Sequence, residues 1–255
     1  MRVVLLGCLV FLVVGCGAWR DSLKTRGSMK QVNVGARMLE KGNKSLALKS
    51  FDRALADSSD REVYLDVVGL LIQKGMYRES IPYIGRAVLL PDNSGRFRIV
   101  DSNLYTILGD AYWKLGDLAR AETAYQQAVR LNVNNAGAYN DWGYMLAESN
   151  QQLDKALELT RKAVRLHRNN GYFLDSLGWV YYQKGDPARA LKYLKKAAEL
   201  SSSELEVRFH YAKALDATGS REAALVEYSK VVKLSPSNAP AKERIRKLYP
   251  KNTSK

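Results

Sequence analysis

Apolar and polar positions alternate with a helical period through most of this chain, and residues 171–204 show the pattern most clearly. The first half of this stretch has an apolar stripe at Leu174, Leu177, Gly178 and Tyr181. The second half has one at Ala190, Leu194 and Ala197. Spacings of three and four residues place each stripe on one face of an amphipathic helix. Between the stripes, Gly185 predicts a left-handed helix end, and Asp186 with Pro187 predicts the start of the next helix.

The same helical hairpin recurs along the chain. The small residue of its first helix falls at Gly35, Val68 (larger), Gly109, Gly143, Gly178 and Ala212, at intervals of 33, 41, 34, 35 and 34 residues. The turn glycine recurs at Gly42, Gly75, Gly116, Gly185 and Gly219, and the fourth copy has Asn150-Gln151 in its place. A single hairpin leaves its apolar stripes exposed, so a repeat of this period predicts hairpins that stack on one another.

This pattern resembles the tetratricopeptide repeat (TPR) family, whose motif is W-x2-L-G-x2-Y…A-x3-F. The third copy matches it best, with Tyr105, Leu108, Gly109 and Tyr112 followed by Ala121 and Tyr125. The resemblance implies an all-α fold, a right-handed solenoid of about six helix-turn-helix repeats with a C-terminal capping helix. We expect the solenoid over residues 29–238 and the capping helix and tail over 239–255. The insertion at residues 95–101 is expected either to extend the second helix of one repeat or to form a loop.

The N-terminus has the layout of an export signal. Arg2 precedes an apolar run from Val3 to Gly15, which is short for a transmembrane helix. Val13-Val14-Gly15-Cys16 resembles the bacterial lipobox, whose cysteine is lipidated, whereas Cys8 has too short an apolar region before it. The resemblance implies a signal peptide at 1–15, palmitate or a similar acyl group on Cys16, and a lipidated tether at 16–28. Gly17 lacks the inner-membrane retention signal, which favours the periplasmic face of the outer membrane. A plain secretory peptide, a transmembrane segment and a cytosolic adaptor are the alternatives.

The first helices of TPR proteins line an inner, concave surface, and an aromatic strip lies at the corresponding positions here. The positions predicted to bind a partner are Asn103, Asp110, Trp113, Asn140, Tyr144, Tyr172, Asp175, Trp179, Tyr182, Phe209 and Lys213. Aromatic residues beside amides and charges have the composition of an interface hot spot. The alternative is that these rings pack against neighbouring first helices. The sequence leaves both interpretations open.

The sequence contains no motif for catalysis, metal binding or cofactor binding, so we expect a non-catalytic protein without cofactor. It has two histidines and two cysteines, and a formal net charge of +14. An exported protein would not meet nucleic acid, so peptidoglycan and anionic lipid are the polyanions considered. A solvated face that keeps the protein soluble is the alternative explanation of the basic excess. The expected function is a scaffold that binds a segment of an envelope protein, resembling pilotin-type lipoproteins of pilus or secretion-system assembly. A peptidoglycan-associated adaptor for cell-wall enzymes and an enzyme with an unrecognised site are the alternatives.

Overall fold

The computed structural model describes residues 23–56, 58, 60–91, 95 and 97–249, with side chains from Arg26 onward. These residues form thirteen helices and no strand. The helices are α1 (Leu23–Glu40), α2 (Lys44–Leu55), α3 (Arg61–Gln73), α4 (Tyr77–Val88), α5 (Arg98–Lys114), α6 (Leu118–Leu131), α7 (Ala136–Glu148), α8 (Leu153–Leu166), α9 (Gly171–Gln183), α10 (Pro187–Leu200), α11 (Leu205–Ala217), α12 (Arg221–Leu234) and α13 (Ala239–Leu248). Successive pairs from α1/α2 to α11/α12 match the six predicted hairpins.

The hairpin turns form where the sequence predicts them. The predicted turn glycines all have positive φ, for example 83° at Gly116 and 77° at Gly185, which a residue without Cβ adopts at little cost. The fourth copy uses Asn150 (φ 51°) and Gln152 (φ 43°) instead. Asp186 caps the helix that follows Gly185 by accepting a hydrogen bond from the backbone N–H of Arg189. Each hairpin is therefore closed by local sequence.

Within a hairpin, the small residue of the first helix lies against a large residue of the second. A Cβ placed on Gly109 would lie 2.5 Å from Cε1 of Tyr125, and one placed on Gly178 would lie 2.6 Å from Cγ of Leu194. Tyr125 and Leu194 are both fully buried. The repeated glycine is thus required by the close approach of two helices, and the large residue fills the space that it leaves.

Replacing Gly109 with alanine is expected to destabilise the protein by about 1–2 kcal/mol. Overpacking against a fixed ring costs about 1–3 kcal/mol, which outweighs a gain of ~1 kcal/mol from helix propensity. Gly69→Ala is the matched control, because a Cβ on Gly69 in α3 meets nothing within 4 Å. We expect it to stabilise by up to ~1 kcal/mol. Urea denaturation followed by circular dichroism measures both, and a stable Gly109→Ala variant would contradict this account of the packing.

The insertion after the second hairpin does not extend α4: Gly95 and Phe97 lie outside the helices, and its last four residues are helical. Helix α4 ends at Val88, and residues 98–101 form the first turn of the next first helix, α5. The guanidinium of Arg61 fixes this turn: its Nε donates to Oδ1 of Asp101 over 2.6 Å, and its Nη2 donates to the carbonyl of Leu90. Arg61 is 1% exposed and also lies 4.7 Å from the ring centroid of Phe97. One buried cation therefore binds the carbonyl of Leu90, before the insertion, and Asp101, its last residue.

The chain divides into two compact units between Ala138 and Tyr139, within the first turn of α7. In the second unit, α13 has the bounds predicted for the capping helix. It packs Ala241, Ile245 and Leu248 against a cluster that includes Tyr228. In the first unit, α1 begins at Leu23, so the last residues of the predicted tether are helical. No helix in the described part of the chain is both long and apolar enough to cross a bilayer.

Candidate functional site

The first helices of the second unit, α7, α9 and α11, are joined by polar side-chain contacts. Nε2 of Gln183 in α9 donates to the carbonyl of Ala147 in α7 over 3.1 Å. The hydroxyl of Tyr144 in α7 donates to Oε1 of Glu206 in α11 over 2.6 Å. Burial of Tyr144, reinforced by the charge of Glu206, raises the pKa of its hydroxyl well above the usual value. The hydroxyl is therefore a donor at all physiological pH values, and it links helices that belong to different repeats.

Trp179 in α9 belongs to the surface that the first helices α7, α9 and α11 form together, and it is 5% exposed. Its ring stacks on Tyr182 at a centroid distance of 5.0 Å and on His210 at 4.0 Å. Its indole Nε1 donates to Oε1 of Glu148 over 2.6 Å. The sequence left two interpretations open for Trp179, partner binding and packing against neighbouring first helices. This geometry corresponds to packing. A ring that is 5% exposed, stacks on two neighbours and donates from its nitrogen supports the surface from beneath.

Asp175 lies below the same surface, where it binds His210. Nδ1 of His210 is 3.0 Å from Oδ2 of Asp175, and the imidazole is 4% exposed. Burial lowers the pKa of His210, but the carboxylate of Asp175, helped by Glu206 and Glu148, outweighs burial, so the net pKa is raised. Asp175 is thus engaged inside the protein. His210 was not among the predicted site residues, although it follows Asp175 by 35 residues, which is close to the length of one repeat.

The His210–Asp175 pair is expected to make stability pH-dependent. Because the folded pKa is raised above the ordinary histidine value of 6.5, the pair contributes fully below pH 6.5, and the contribution is lost as pH rises through the folded pKa. His210→Gln should therefore cost more stability below pH 6.5 than in alkaline solution, as measured by urea denaturation across pH. His167→Gln, which changes the other histidine and leaves the pair intact, is the control. An equal cost at all pH values would show that the imidazole does not gain a proton.

The remaining predicted residues near this surface have different environments. Asn140 is buried, and its Nδ2 donates to Oδ1 of Asp141 over 3.1 Å. Tyr172 is partly exposed in the first turn of α9, where Asn170 caps the helix. Asn140 is therefore a packing residue in this structure, whereas part of the Tyr172 side chain reaches solvent.

Three of the predicted residues lie on α5, in the first unit. Asn103 accepts a hydrogen bond from Nδ2 of Asn135 over 3.4 Å. Asp110 is 2% exposed and accepts one from the hydroxyl of Tyr125 over 2.6 Å. Trp113 is partly exposed, with Nζ of Lys114 4.3 Å from its ring centroid. Asp110 reaches a partner only if the hairpin opens, so Trp113 and Asn103 are the accessible members of this set.

Tyr182, Phe209 and Lys213 come together at the accessible end of the second unit's surface. All three are partly exposed and line a pocket of about 400 Å³. The other residues around it are Asp216, Ala217, Tyr228, Pro240, Glu243 and Arg244. Asp216 lies at a first-helix lining position of α11 but was not among the predicted site residues. The others come from α12, α13 and the last residue of α11, outside the first-helix positions that the repeat pattern selects. The pocket is therefore lined by aromatic side chains and by residues of the capping helix α13.

Charges in the pocket are arranged asymmetrically. Nε of Arg244 donates to Oδ2 of Asp216 over 2.7 Å, so these two charges neutralise each other. Burial lowers the pKa of the Lys213 ammonium, an effect that the charge of Glu148 partly opposes. No group of histidine, cysteine and carboxylate side chains suited to a metal ion occurs among the described residues. The pocket can therefore bind apolar and charged groups of a ligand.

Comparison with known proteins gives the family. The sequence profile described as tetratricopeptide repeat matches residues 84–236, more than half of the chain. The chain belongs to the tetratricopeptide repeat family. With the helices described above, this match confirms the predicted all-α TPR solenoid fold. TPR proteins bind protein or peptide partners and are typically non-catalytic scaffolds, so the chain has the fold of a protein-interaction scaffold.

Individual relatives match only in part. The TPR repeat-containing protein PA4667 of Pseudomonas aeruginosa is 36% identical over 86 residues, which are 34% of this chain and 15% of that protein. The mitochondrial import receptor subunit TOM70 of Rattus norvegicus is 27% identical over 107 residues, 42% of this chain and 18% of the receptor. The APC/C Cut9–Hcn1 crystal structure superposes with a TM-score of 0.70 over 87% of this chain and 42% of that one, at 16% identity. At that identity, the superposition establishes the fold alone.

Proposed function

We propose that this TPR protein is a lipid-anchored, non-catalytic scaffold of the bacterial envelope, in the outer membrane facing the periplasm. It binds a segment of another envelope protein along α9 and α11, and this binding supports assembly of a complex such as a pilus or secretion system. The observation that carries the proposal is the pocket of about 400 Å³ bordered by the accessible rings of Tyr182 and Phe209.

Rigid support beneath the exposed rings favours tight binding. Tyr182 stacks on the enclosed Trp179, and Phe209 packs edge-on against Tyr228 at a centroid distance of 5.9 Å. Aromatic side chains held in place lose little conformational freedom when a partner binds, so more of the contact energy appears as affinity. The partner-binding surface in this proposal is therefore the set Tyr182, Phe209 and Lys213.

Photocrosslinking in the native cells tests the proposed surface. A benzoylphenylalanine at position 182 is expected to crosslink to one discrete envelope protein. The same amino acid at position 193 is the matched control, because Tyr193 is also partly exposed and also stacks on a tyrosine, Tyr181, but lies on a second helix. Tyr182→Ala combined with Phe209→Ala should abolish capture of that protein, whereas Tyr193→Ala should not. Equal crosslinking from positions 182 and 193 would contradict the proposed surface.

The proposed anchor is Cys16, which lies outside the described residues. Cys16→Ser is expected to abolish incorporation of labelled palmitate and to release the protein from the membrane fraction. Two or three acyl chains, as lipoproteins carry, hold a protein stably, whereas a single chain gives only marginal binding. Cys8→Ser is the control and should retain both label and membrane association. Label that persists in Cys16→Ser would refute the anchor without bearing on the binding surface.

Exposed cations favour a second candidate, a peptidoglycan-associated adaptor for cell-wall enzymes. Helix α10 has Arg189, Lys192, Lys195 and Lys196 exposed, against one acidic residue, Glu199. An array of cations attracts a polyanion, more strongly at low salt. Replacing the three lysines with glutamine should abolish sedimentation with purified sacculi if this candidate is correct. Unchanged sedimentation would exclude this helix as the contact.

A further inference from the structure

Lys213 has an unusual environment for a cation in this protein. Its Nζ lies 4.6 Å from the ring centroid of Trp179, 5.1 Å from that of Tyr182 and 5.8 Å from that of Phe209. Among the described residues, no carboxylate lies within 4.0 Å of this ammonium. Aromatic faces attract a cation but accept no conventional hydrogen bond from it. The ammonium is therefore fixed in place while its donors remain available.

The other charges at the pocket already have partners. Arg244 is bound to Asp216, and Oε1 of Glu243 is 2.5 Å from Nζ of Lys247. Lys213 is thus the charged residue of the pocket without a carboxylate in direct contact, although the more distant charge of Glu148 acts on it. Burial of this side chain removes part of the hydration of the ammonium and so lowers its pKa. An anion placed beside Nζ would restore the lost interaction energy, whereas a second cation would be repelled.

We propose that Lys213 binds an acidic side chain of the partner segment, an aspartate or glutamate next to an apolar residue that covers Tyr182 and Phe209. The hydroxyl of Tyr182 lines the same pocket and makes no hydrogen bond to another described residue, so it can donate a second bond to the carboxylate. The net charge of +14 would speed the approach of an acidic segment. This inference rests on the proposed function, because it assigns the chemistry of the same surface.

Selection from a phage library of random peptides on the purified chain tests the inference. We expect the selected peptides to be enriched in aspartate or glutamate beside an aromatic or aliphatic residue. In fluorescence polarisation with one synthetic selected peptide, Lys213→Met should weaken binding about ten- to a hundredfold, the range for a charge-assisted hydrogen bond. Lys213→Arg should retain most of the affinity, because it keeps the charge. Lys195→Met, on the exposed face of α10, is the matched lysine control and should bind as the wild type does.

A charge swap on the peptide completes the test. Replacing the peptide's acidic residue with its amide should weaken binding to the wild type, and should have little further effect on Lys213→Met. Three results, each from peptides that require Tyr182 and Phe209, would overturn the acidic assignment and leave the proposed surface intact. These are the absence of acidic enrichment, a preference for basic residues and normal binding to Lys213→Met. A selection that yields no peptide dependent on Tyr182 and Phe209 would overturn both. Circular dichroism of each variant identifies any loss of fold.

Discussion

Trp179→Ala is expected to lower the free energy of unfolding by about 3–5 kcal/mol, the usual cost of removing a large buried ring. The substitution empties the space between Tyr182 and His210, and it leaves Glu148 without the indole donor 2.6 Å away. Two stacking contacts, a hydrogen bond and the cation contact of Lys213 disappear together. Urea denaturation followed by circular dichroism measures the loss.

Trp113→Ala is the matched control, because Trp113 is the same residue type on a first helix but its ring is partly exposed. We expect it to cost clearly less than Trp179→Ala. A Trp179→Ala variant that is as stable as the wild type and loses only partner binding would show that the ring is open to solvent. Tests of the binding surface therefore belong at Tyr182 and Phe209, where a loss of binding is separable from a loss of folding.

The repeat could be predicted because each hairpin is specified by nearby residues. Gly185 needs a left-handed conformation and Asp186 an N-cap, both within one turn of chain. The close approach at Gly109 or Gly178 depends on a partner sixteen residues further along, within the same hairpin. Interactions between residues this close in sequence recur from one repeat to the next, so they appear in the sequence as a periodic pattern. The fold class, the turn positions and the capping helix all follow from such local signals.

The site was predicted less completely, because it depends on contacts between repeats. Whether Trp179 faces solvent or packs depends on how closely α7, α9 and α11 approach, which a helical period does not specify. The sequence placed Asp175 and Tyr182 on the same helix face. In the structure, Asp175 binds His210 inside the protein, whereas Tyr182 is partly exposed. Arg244 enters the pocket from α13, a helix chosen in the sequence analysis only for its capping role.

The insertion was beyond prediction for the same reason. Its last residue, Asp101, is bound by Arg61, forty residues earlier, and a single arginine at the beginning of α3 has no counterpart in the repeat pattern. The repeat pattern alone left a longer α4 and a loop as alternatives. Instead, Asp101 in the first turn of α5 gains a buried cation, and the helix N-terminus favours the acidic residue. The long-range ion pair thus selects the helical start at Arg98.

Arg61→Met is accordingly expected to destabilise the first unit by about 3–5 kcal/mol, the range for removing one partner of a buried ion pair. The change removes the donors to Asp101 and to the carbonyl of Leu90, while methionine restores most of the lost volume. Adding Asp101→Asn should recover part of the loss, because the remaining buried charge is then neutral. Arg120→Met, which breaks an exposed pair with Asp117, is the matched control and should have little effect.

Urea denaturation of these three variants distinguishes two roles for Arg61. If the ion pair fixes the insertion, Arg61→Met also exposes amide protons of the first turn of α5 to exchange, whereas the amides of α9 in the second unit exchange as in the wild type. If Arg61 serves only as buried volume, methionine replaces it with a small loss of stability and Asp101→Asn brings no recovery. The second outcome would separate the helical start at Arg98 from Arg61 and assign it to the local sequence alone.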